Sequence, residues 1–291
     1  MEHVKTIPDL RILVNEAKLR GKRVGLVPTM GALHEGHLSL IKAAKAKCDF
    51  VVVSIFVNPT QFGPNEDLNT YPRPITEDLA SCKREEVDVV FSPDAEEMYP
   101  IKHLIHFKID ALADFLCGAT RPGHFGGVLQ VVNKLFQIVQ PNVAFFGQKD
   151  IQQFVLISRM ALEFNIPVEI EMVKTIRETD GLAMSSRNRY LSKEERKIAP
   201  ELYRSLENVL LKIHSLLSND STSSTQISLN YLLSDEEKRL SAKGLKIEYL
   251  DVVDYRTLQP VTMVNKSREY IITIAAFIGK TRLIDNIIVE F

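Results

Sequence analysis

Cysteine is scarce in this chain, and its spacing excludes most of what cysteine does. Cys48, Cys82 and Cys117 are odd in number and far apart. They form no C-x-x-C pair and no zinc-ligand spacing, so a reducing, cytoplasmic compartment is expected. An excess of charge of one sign is also lacking: 36 lysines and arginines stand against 37 aspartates and glutamates. That balance supplies no bulk field for nucleic acid or for an anionic membrane, and leaves room only for a local basic site. The N-terminus, MEHVKTIPDL, has no apolar signal core, and no apolar run is long enough to span a bilayer. No internal repeat is present.

What remains is ordinary for a globular protein. Its 291 residues are 45% hydrophobic and 25% charged, enough for a sizeable core in one large domain or two modest ones. The chain is organised around residues 24–37, VGLVPTMGALHEGH. This stretch reads as an apolar strand, a loop of small residues, and a helix opened by His34-Glu35-Gly36-His37. A helix start presents unpaired N–H groups and the positive end of a dipole. Two imidazoles there make a phosphate site, where a single histidine would read as a surface residue.

Around that motif the periodicities predict a βαβ pattern. Residues 7–20 form a helix, 23–28 the first strand and 38–48 a helix. The near-continuous apolar run FVVVSIF at 50–56 is a strand covered on both faces. An open parallel sheet binds its ligand at the carboxyl ends of its strands. Asn58 and Gln61, just past the second strand, serve either a ligand or ordinary turn chemistry. The polar stretch 63–73 is a lid or a slack surface loop. A helix at 75–86 begins with Glu77 and Asp78, which suit its dipole or a nearby metal, and 87–91 is a third strand.

His103 and His106 lie in KHLIHFKI, which alternates like a strand, and with no third ligand nearby they receive no metal role. Arg121 precedes the predicted helix 128–139 and suits two-pronged binding of a carboxylate or phosphate, or a place on the surface before a turn. A short strand at 143–146 runs into Gly147-Gln148-Lys149-Asp150 and a helix at 151–164 that carries Gln153. A lysine at a helix start opposes the dipole and so asks for an anion, whereas Asp150 is explained as an N-terminal cap. After a strand at 168–176, Met184-Ser185-Ser186-Arg187 offers hydroxyls and a guanidinium for phosphate oxygens, or is a serine-rich linker.

Past Lys193 the character changes. Helices are expected at 193–217 and 227–243, a polar mobile break at 218–226, and strands at 247–253, 270–277 and 282–289. No clear catalytic cluster is visible there. The expected class is α/β: a Rossmann-like open parallel sheet in residues 1–176, then a smaller C-terminal α+β domain, residues 177–291.

The H-x-G-H stretch resembles the nucleotidyltransferase superfamily, which includes the class I aminoacyl-tRNA synthetases. PTMGALHEGH, FVNPTQFGPNEDLNTYPR, RPGHFGGV, FFGQKDIQQ and DGLAMSSRNRYLS, in this order, resemble more closely the pantothenate synthetase (pantoate–β-alanine ligase) family. Gln148 stands where other members carry glutamate. The resemblance implies an ATP-dependent ligase of pantothenate and coenzyme A biosynthesis, which joins pantoate to β-alanine through a pantoyl-adenylate and releases AMP and diphosphate. It implies catalytic roles for His34, His37, Lys149 and Arg187, with His37 preferred as proton donor.

By the same resemblance, ATP is bound by Pro28, Thr29, Met30, His34, His37, Gly147, Gln148, Lys149, Asp150, Ile176, Met184, Ser185, Ser186 and Arg187. Pantoate is bound by Met30, Gln61, Val131, Val132 and Gln153, and β-alanine by Gln61. Mg²⁺ accompanies ATP with few protein ligands, the C-terminal domain acts as a hinged lid, and the chain forms a homodimer. Nucleic acid and membrane are not expected partners, and a tRNA synthetase is disfavoured because no basic tRNA-binding appendage is visible. The competing readings are a nucleotidylyltransferase of the same superfamily and a non-catalytic nucleotide-binding scaffold.

Overall fold

The computed structural model describes residues 1–64, 66–218 and 227–289. The chain divides into two compact units. The first comprises Met1–Asp110, Arg121–Gln148 and Gln153–Thr175; the second comprises Ala111–Thr120, Lys149–Gln152 and Ile176–Phe291. Two short segments, 111–120 and 149–152, thus pack with the second unit, although the chain on both sides of them belongs to the first.

The first unit holds a six-stranded sheet. In chain order its strands are β1 (Glu2–Val4), β2 (Val24–Thr29), β3 (Phe50–Ile55), β4 (Val89–Phe91), β5 (Val143–Gly147) and β6 (Glu169–Val173). Their spatial order is β1-β4-β3-β2-β5-β6, and every pairing is parallel. Val51, Val52 and Val53 of β3 are all fully buried, as consecutive residues can be only when both faces of a sheet are covered. Each buried valine contributes about 2 kcal/mol relative to exposure.

The chain winds outward from β2 to β3 and β4, then returns to place β5 on the other side of β2. The strand order therefore reverses between β2 and β5, and the crevice beyond their carboxyl ends is where such sheets bind ligands.

The helices of the first half are α1 (Ile7–Leu19), α2 (Glu35–Lys47), α3 (Ile75–Arg84), α4 (Ala95–Met98), α5 (Leu116–Thr120), α6 (His124–Val139) and α7 (Ile151–Glu163); α5 lies in a segment of the second unit. In α1, Thr6 caps the start by accepting from the Asp9 N–H, and Leu10, Val14 and Ala17 are buried at helical spacing. Among the described residues no helix is long and apolar enough to cross a membrane.

Three expectations are corrected. KHLIHFKI is irregular, not a strand. Its alternation has no partner strand to pair with, and Leu104 and Ile105 are 85% and 87% exposed. The single helix expected at 193–217 is two, α8 (Lys193–Ile198) and α9 (Glu201–Ser218), separated at Ala199-Pro200 because proline has no N–H to continue the ladder. The helix expected at 227–243 begins later, as α10 (Asn230–Ala242), after a two-residue strand β7 (Ile227–Ser228). Of the polar break 218–226, residues 219–226 lie outside the described residues. The sequence reading also missed β1, a three-residue edge strand on β4.

The second unit is built on an antiparallel sheet in the order β11-β10-β8, from β8 (Lys246–Asp254), β10 (Tyr270–Ile278) and β11 (Thr281–Val289); β9 (Met263–Val264) pairs with β7. The face of α9 formed by Leu202, Leu206, Val209 and Ile213 is buried in the core shared with this sheet. At the start of α9, Glu201 is buried and receives Arg239 (2.6 Å), Arg204 (2.8 Å) and Lys243 (2.9 Å). Burial alone would raise its carboxyl, but the hydrogen bonds from Arg239, Lys243 and Arg204 outweigh that and hold it at about 2, against an ordinary 4.5.

A carboxyl depressed on folding stabilises above its unfolded value and loses that contribution as pH falls through the folded one. Glu201→Gln should therefore lower the unfolding free energy at pH 7 by about 3 kcal/mol. In urea titrations the gap to the parent chain should close as pH falls from 4.5 toward about 2. A pH-independent gap would contradict the account.

Candidate active site

The loop after β2 is held from beneath. Gly31 and Ala32 both adopt positive φ, 83° and 51°, which turns successive backbone N–H groups in one direction. The buried Asp78 of α3 accepts from Ala32 N–H (2.9 Å) and Leu33 N–H (2.7 Å). A Cβ at Gly31 would lie 2.9 Å from Asp78 Oδ2, so only glycine lets the carboxylate come this close. Thr29 Oγ1 donates to Ser54 O on β3 (2.8 Å) and accepts from Gly31 N–H (3.2 Å). Sequence reasoning offered Asp78 the helix dipole or a metal; its contacts are instead with the loop. An acidic residue in a first helical turn carries no sign of such a role.

The loop delivers His34 and His37 to the start of α2, where they form a reciprocal cap. His34 Nδ1 accepts from Gly36 N–H (3.1 Å), and His34 N–H donates to His37 Nδ1 (3.4 Å). The ring centroids are 4.1 Å apart, tilted by 40°. An accepting Nδ1 carries no hydrogen, so each neutral ring bears its hydrogen on Nε2. The cap thus selects the tautomer, and puts the hydrogen of each imidazole on Nε2, at a helix start.

After β3 a second cluster orients Gln61. Asn58, 1% exposed, caps a 3-10 turn, Pro59–Gln61, by accepting from Thr60 N–H. Its Oδ1 also accepts from Tyr99 OH (2.7 Å), while Nδ2 donates to Gln61 Oε1 (3.1 Å) and Gly127 O (3.2 Å). The Gln61 amide is thereby set with its oxygen on Asn58 and its Nε2 on Met30 Sδ (3.2 Å). Helix α6 approaches so closely that a Cβ at Gly127 would stand 2.2 Å from Thr60 O. Val131 and Val132 are both buried on this helix. Nothing in the sequence singled out Tyr99.

Arg121 grips a carboxylate of its own unit: Nε and NH2 donate to the two oxygens of Glu66 at 2.7 and 2.5 Å. Burial would raise the Glu66 carboxyl, but the hydrogen bond and charge of Arg121 bring it below its ordinary value. His124 Nδ1 lies 2.8 Å from Gln61 O, so Glu66 and the Gln61 turn are both tied to residues 121–124 at the start of α6; residue 65 of the polar stretch 63–73 lies outside the described residues.

Gly147 ends β5 and leads into a 3-10 turn, Gln148–Asp150, that continues directly into α7, where Gln153 is partly buried in the first turn. Lys149 Nζ is 3.7 Å from Asp150 Oδ2. In the second unit, Met184 N–H donates to Ile176 O (3.0 Å) and Arg177 bridges to Ala183, closing a hairpin turned at Gly181 (φ 94°). Beyond it, Ser185 Oγ accepts from Arg187 N–H (3.3 Å) to cap the 3-10 turn Ser186–Tyr190. A hydroxyl that accepts here keeps its own hydrogen to donate. The contacts of Ser185–Arg187 are those of an ordered turn, not of a slack linker. The structure thus joins His34 to His37, Met30 to Gln61, Lys149 to Asp150, and Ile176 to Met184. Pro28 lies one residue from the carboxyl end of β2.

Comparison with known proteins agrees with this architecture over the full length. The family model described as pantoate-beta-alanine ligase matches residues 2–288. Pantothenate synthetase of Thermosipho africanus is 48% identical over 289 residues, 99% of this chain and 100% of that one. That of Fervidobacterium nodosum is 49% identical over 290 residues, covering 100% of each. The crystal structure of pantothenate synthetase from Thermus thermophilus superposes with a TM-score of 0.88 at 41% identity, covering 99% of both chains. The pantoate-beta-alanine ligase from Francisella tularensis, complexed with beta-gamma ATP and beta-alanine, does so at 0.78 and 36% identity, covering 99% of this chain and 97% of that one.

The histidine cap separates structure from chemistry at position 34. Asparagine is an effective helix N-cap, so His34→Asn should unfold in urea within about 0.5 kcal/mol of the parent, whereas His34→Ala should lose about 1 kcal/mol. Equal stability of the two variants would refute the capping role.

Proposed function

The chain belongs to the pantoate–β-alanine ligase family and joins pantoate to β-alanine with ATP; we propose that it does so through a pantoyl-adenylate, releasing AMP and diphosphate. One observation supports the route: the reciprocal cap of His34 and His37, which sets two imidazoles of one tautomer together at a helix start beyond β2. A carboxylate is a poor electrophile, and attack by an amine needs a leaving group. A pantoate carboxylate oxygen attacks the α-phosphorus, the bond from that phosphorus to the bridging oxygen breaks, and diphosphate departs. The β-alanine amine then attacks the acyl carbon, loses a proton, and AMP leaves as the amide forms.

Negative charge grows on the α-phosphate and on the departing diphosphate, so catalysis is chiefly a matter of meeting that charge. In this reading His34 and His37 hydrogen-bond phosphate oxygens, with His37 the proton donor. Lys149 neutralises the phosphates, and Ser185, Ser186 and Arg187 bind the diphosphate side. Pro28, Thr29 and Met30 line the junction of nucleotide and pantoate; Gly147, Asp150 and Ile176 hold ribose and adenine, and Gln148 and Met184 also bind ATP. Gln61 and Gln153 bind pantoate, with Met30, Val131 and Val132 as the apolar wall for its two methyl groups, and Gln61 also receives β-alanine. The fixed Gln61 amide supports that double use, since its orientation is set before substrate arrives.

Mg²⁺ enters with ATP as part of the substrate. The ion would need few protein ligands there. The stretch 63–73, latched through Glu66 to Arg121, is the lid that keeps water from the adenylate. The three cysteines, free and buried, suit a cytoplasmic setting. Exposed Ile101, Leu104 and Ile105 suit a homodimer contact.

Three measurements test the reading. With ATP, pantoate and β-alanine, AMP and diphosphate should form in step with pantothenate, and no ADP; ADP would overturn the adenylate route. His34→Asn and His37→Ala should each lose at least about 100-fold in turnover. Shortening the 63–73 loop should raise ATP consumption above pantothenate formed, and unchanged coupling would remove the lid.

A further inference from the structure

The second unit carries its own anchor for the phosphate-binding groups, in a strand that sequence patterning does not single out. β11 reads TRLIDNIIV, and its middle residues Asp285 and Asn286 are only 2% and 1% exposed. Two polar residues of low strand propensity in the interior of an apolar strand need a reason. Each has one. Asn286 Nδ2 donates to Lys149 O (2.9 Å), across 137 positions of the chain. Asp285 receives the Arg177 guanidinium through two bonds, 2.5 and 3.0 Å, and accepts from Asn286 N–H (2.8 Å).

Arg177 in turn donates to Gly181 O (3.1 Å) and lies 3.6 Å over the Tyr203 ring. It starts the hairpin whose other arm leads through Met184 to Ser185, Ser186 and Arg187. Burial pushes the Asp285 carboxyl above its ordinary value, and the hydrogen bonds and charge of Arg177, with the charge of Lys149, work against that rise.

We propose that Asp285 and Asn286 are positioning residues for the adenylation step: neighbouring residues of one strand hold the Lys149 turn and the Ser185–Arg187 hairpin in fixed register within the second unit. This rests on the reading of Lys149 as a phosphate ligand. The physical reason is that both groups sit on short elements, and β11 gives them one common support. The 3-10 turn Gln148–Asp150 is only three residues long, and a lysine stem of four methylenes aims its charge only as well as its backbone is held. The hairpin holds its own arms together through the Arg177–Ala183 bridge and the bonds Met184 N–H to Ile176 O and Glu178 N–H to Leu182 O, and Arg177 fixes it to β11. Sub-ångström placement of groups around a transferring phosphoryl is what separates a preorganised site from a merely adjacent one.

The test separates the half-reactions in the full chain. Asn286→Ala should slow pantoate-dependent exchange of diphosphate into ATP by about 10-fold. Transfer of the pantoyl group from preformed adenylate to β-alanine, followed in a single turnover, should be unchanged. If alanine prevents folding, Asn286→Asp keeps the volume and loses the donor, with the same expected split. Equal slowing of both half-reactions would mark Asn286 as merely structural and overturn the proposal, as would an unaffected exchange rate. Lys149→Ala run alongside separates the two failures. If Lys149→Ala slows exchange and Asn286→Ala does not, the anchor is wrong. If Lys149→Ala leaves exchange unchanged, the role given to Lys149 is itself wrong and the anchor falls with it.

Discussion

Backbone N–H groups that have left a strand and not yet entered a helix must find acceptors, and around that need the first unit is arranged. Between β2 and α2 the chain turns through two positive-φ residues, and the N–H groups of Ala32 and Leu33 end on the buried Asp78 carboxylate. The next ones along end on imidazole nitrogens, Gly36 N–H on His34 and His34 N–H on His37. Satisfying the backbone therefore decides three things together: where the histidines stand, which ring nitrogen carries the hydrogen, and why position 31 is glycine. A carboxylate that accepts two backbone N–H groups is strongly held, and its loss would leave both donors buried without a partner.

The same economy recurs after β3. Asn58 is fully committed, accepting from Thr60 and Tyr99 and donating to Gln61 and Gly127. A buried amide in a complete network has one orientation, and it confers one orientation on its neighbour. The Gln61 amide has its two ends already distinguished, its oxygen on Asn58 and its nitrogen on Met30 Sδ. In the second unit the corresponding role falls to β11, where polar residues inside the strand are satisfied by Lys149 O and Arg177, not by the sheet's own ladder. Rigid elements thus hold groups that sit on short turns, and the turns need not be stable alone.

Much of the fold was legible because parallel strands and amphipathic helices write their burial into the sequence. The valine run of β3, the apolar face of α1 and the strand–loop–helix around His34 follow from period and composition alone. The reading failed where local pattern met no partner. KHLIHFKI alternates but pairs with nothing, and a two-fold period is only a tendency until a neighbouring strand supplies hydrogen bonds. The break at Ala199-Pro200 was open to view, since proline interrupts any helix it enters; the apolar period on either side concealed it. Asp78, Tyr99 and Asn286 were not legible as site-supporting residues, because their partners lie 46, 41 and 137 positions away.

The sequence by itself determined the chemistry on offer. Two histidines one helical turn apart, a lysine and a serine–arginine pair at strand ends, an unbroken parallel-strand pattern and the absence of a charged or membrane-seeking surface are properties of order along the chain. The tertiary structure alone decided how those groups are held. Which end of the Gln61 amide lies on Met30, that Arg121 grips Glu66, and that Lys149 packs within the second unit all depend on contacts between distant residues. The reason is physical: a side chain's identity is local, whereas its orientation and tautomer are set by whichever donor or acceptor folding brings against it.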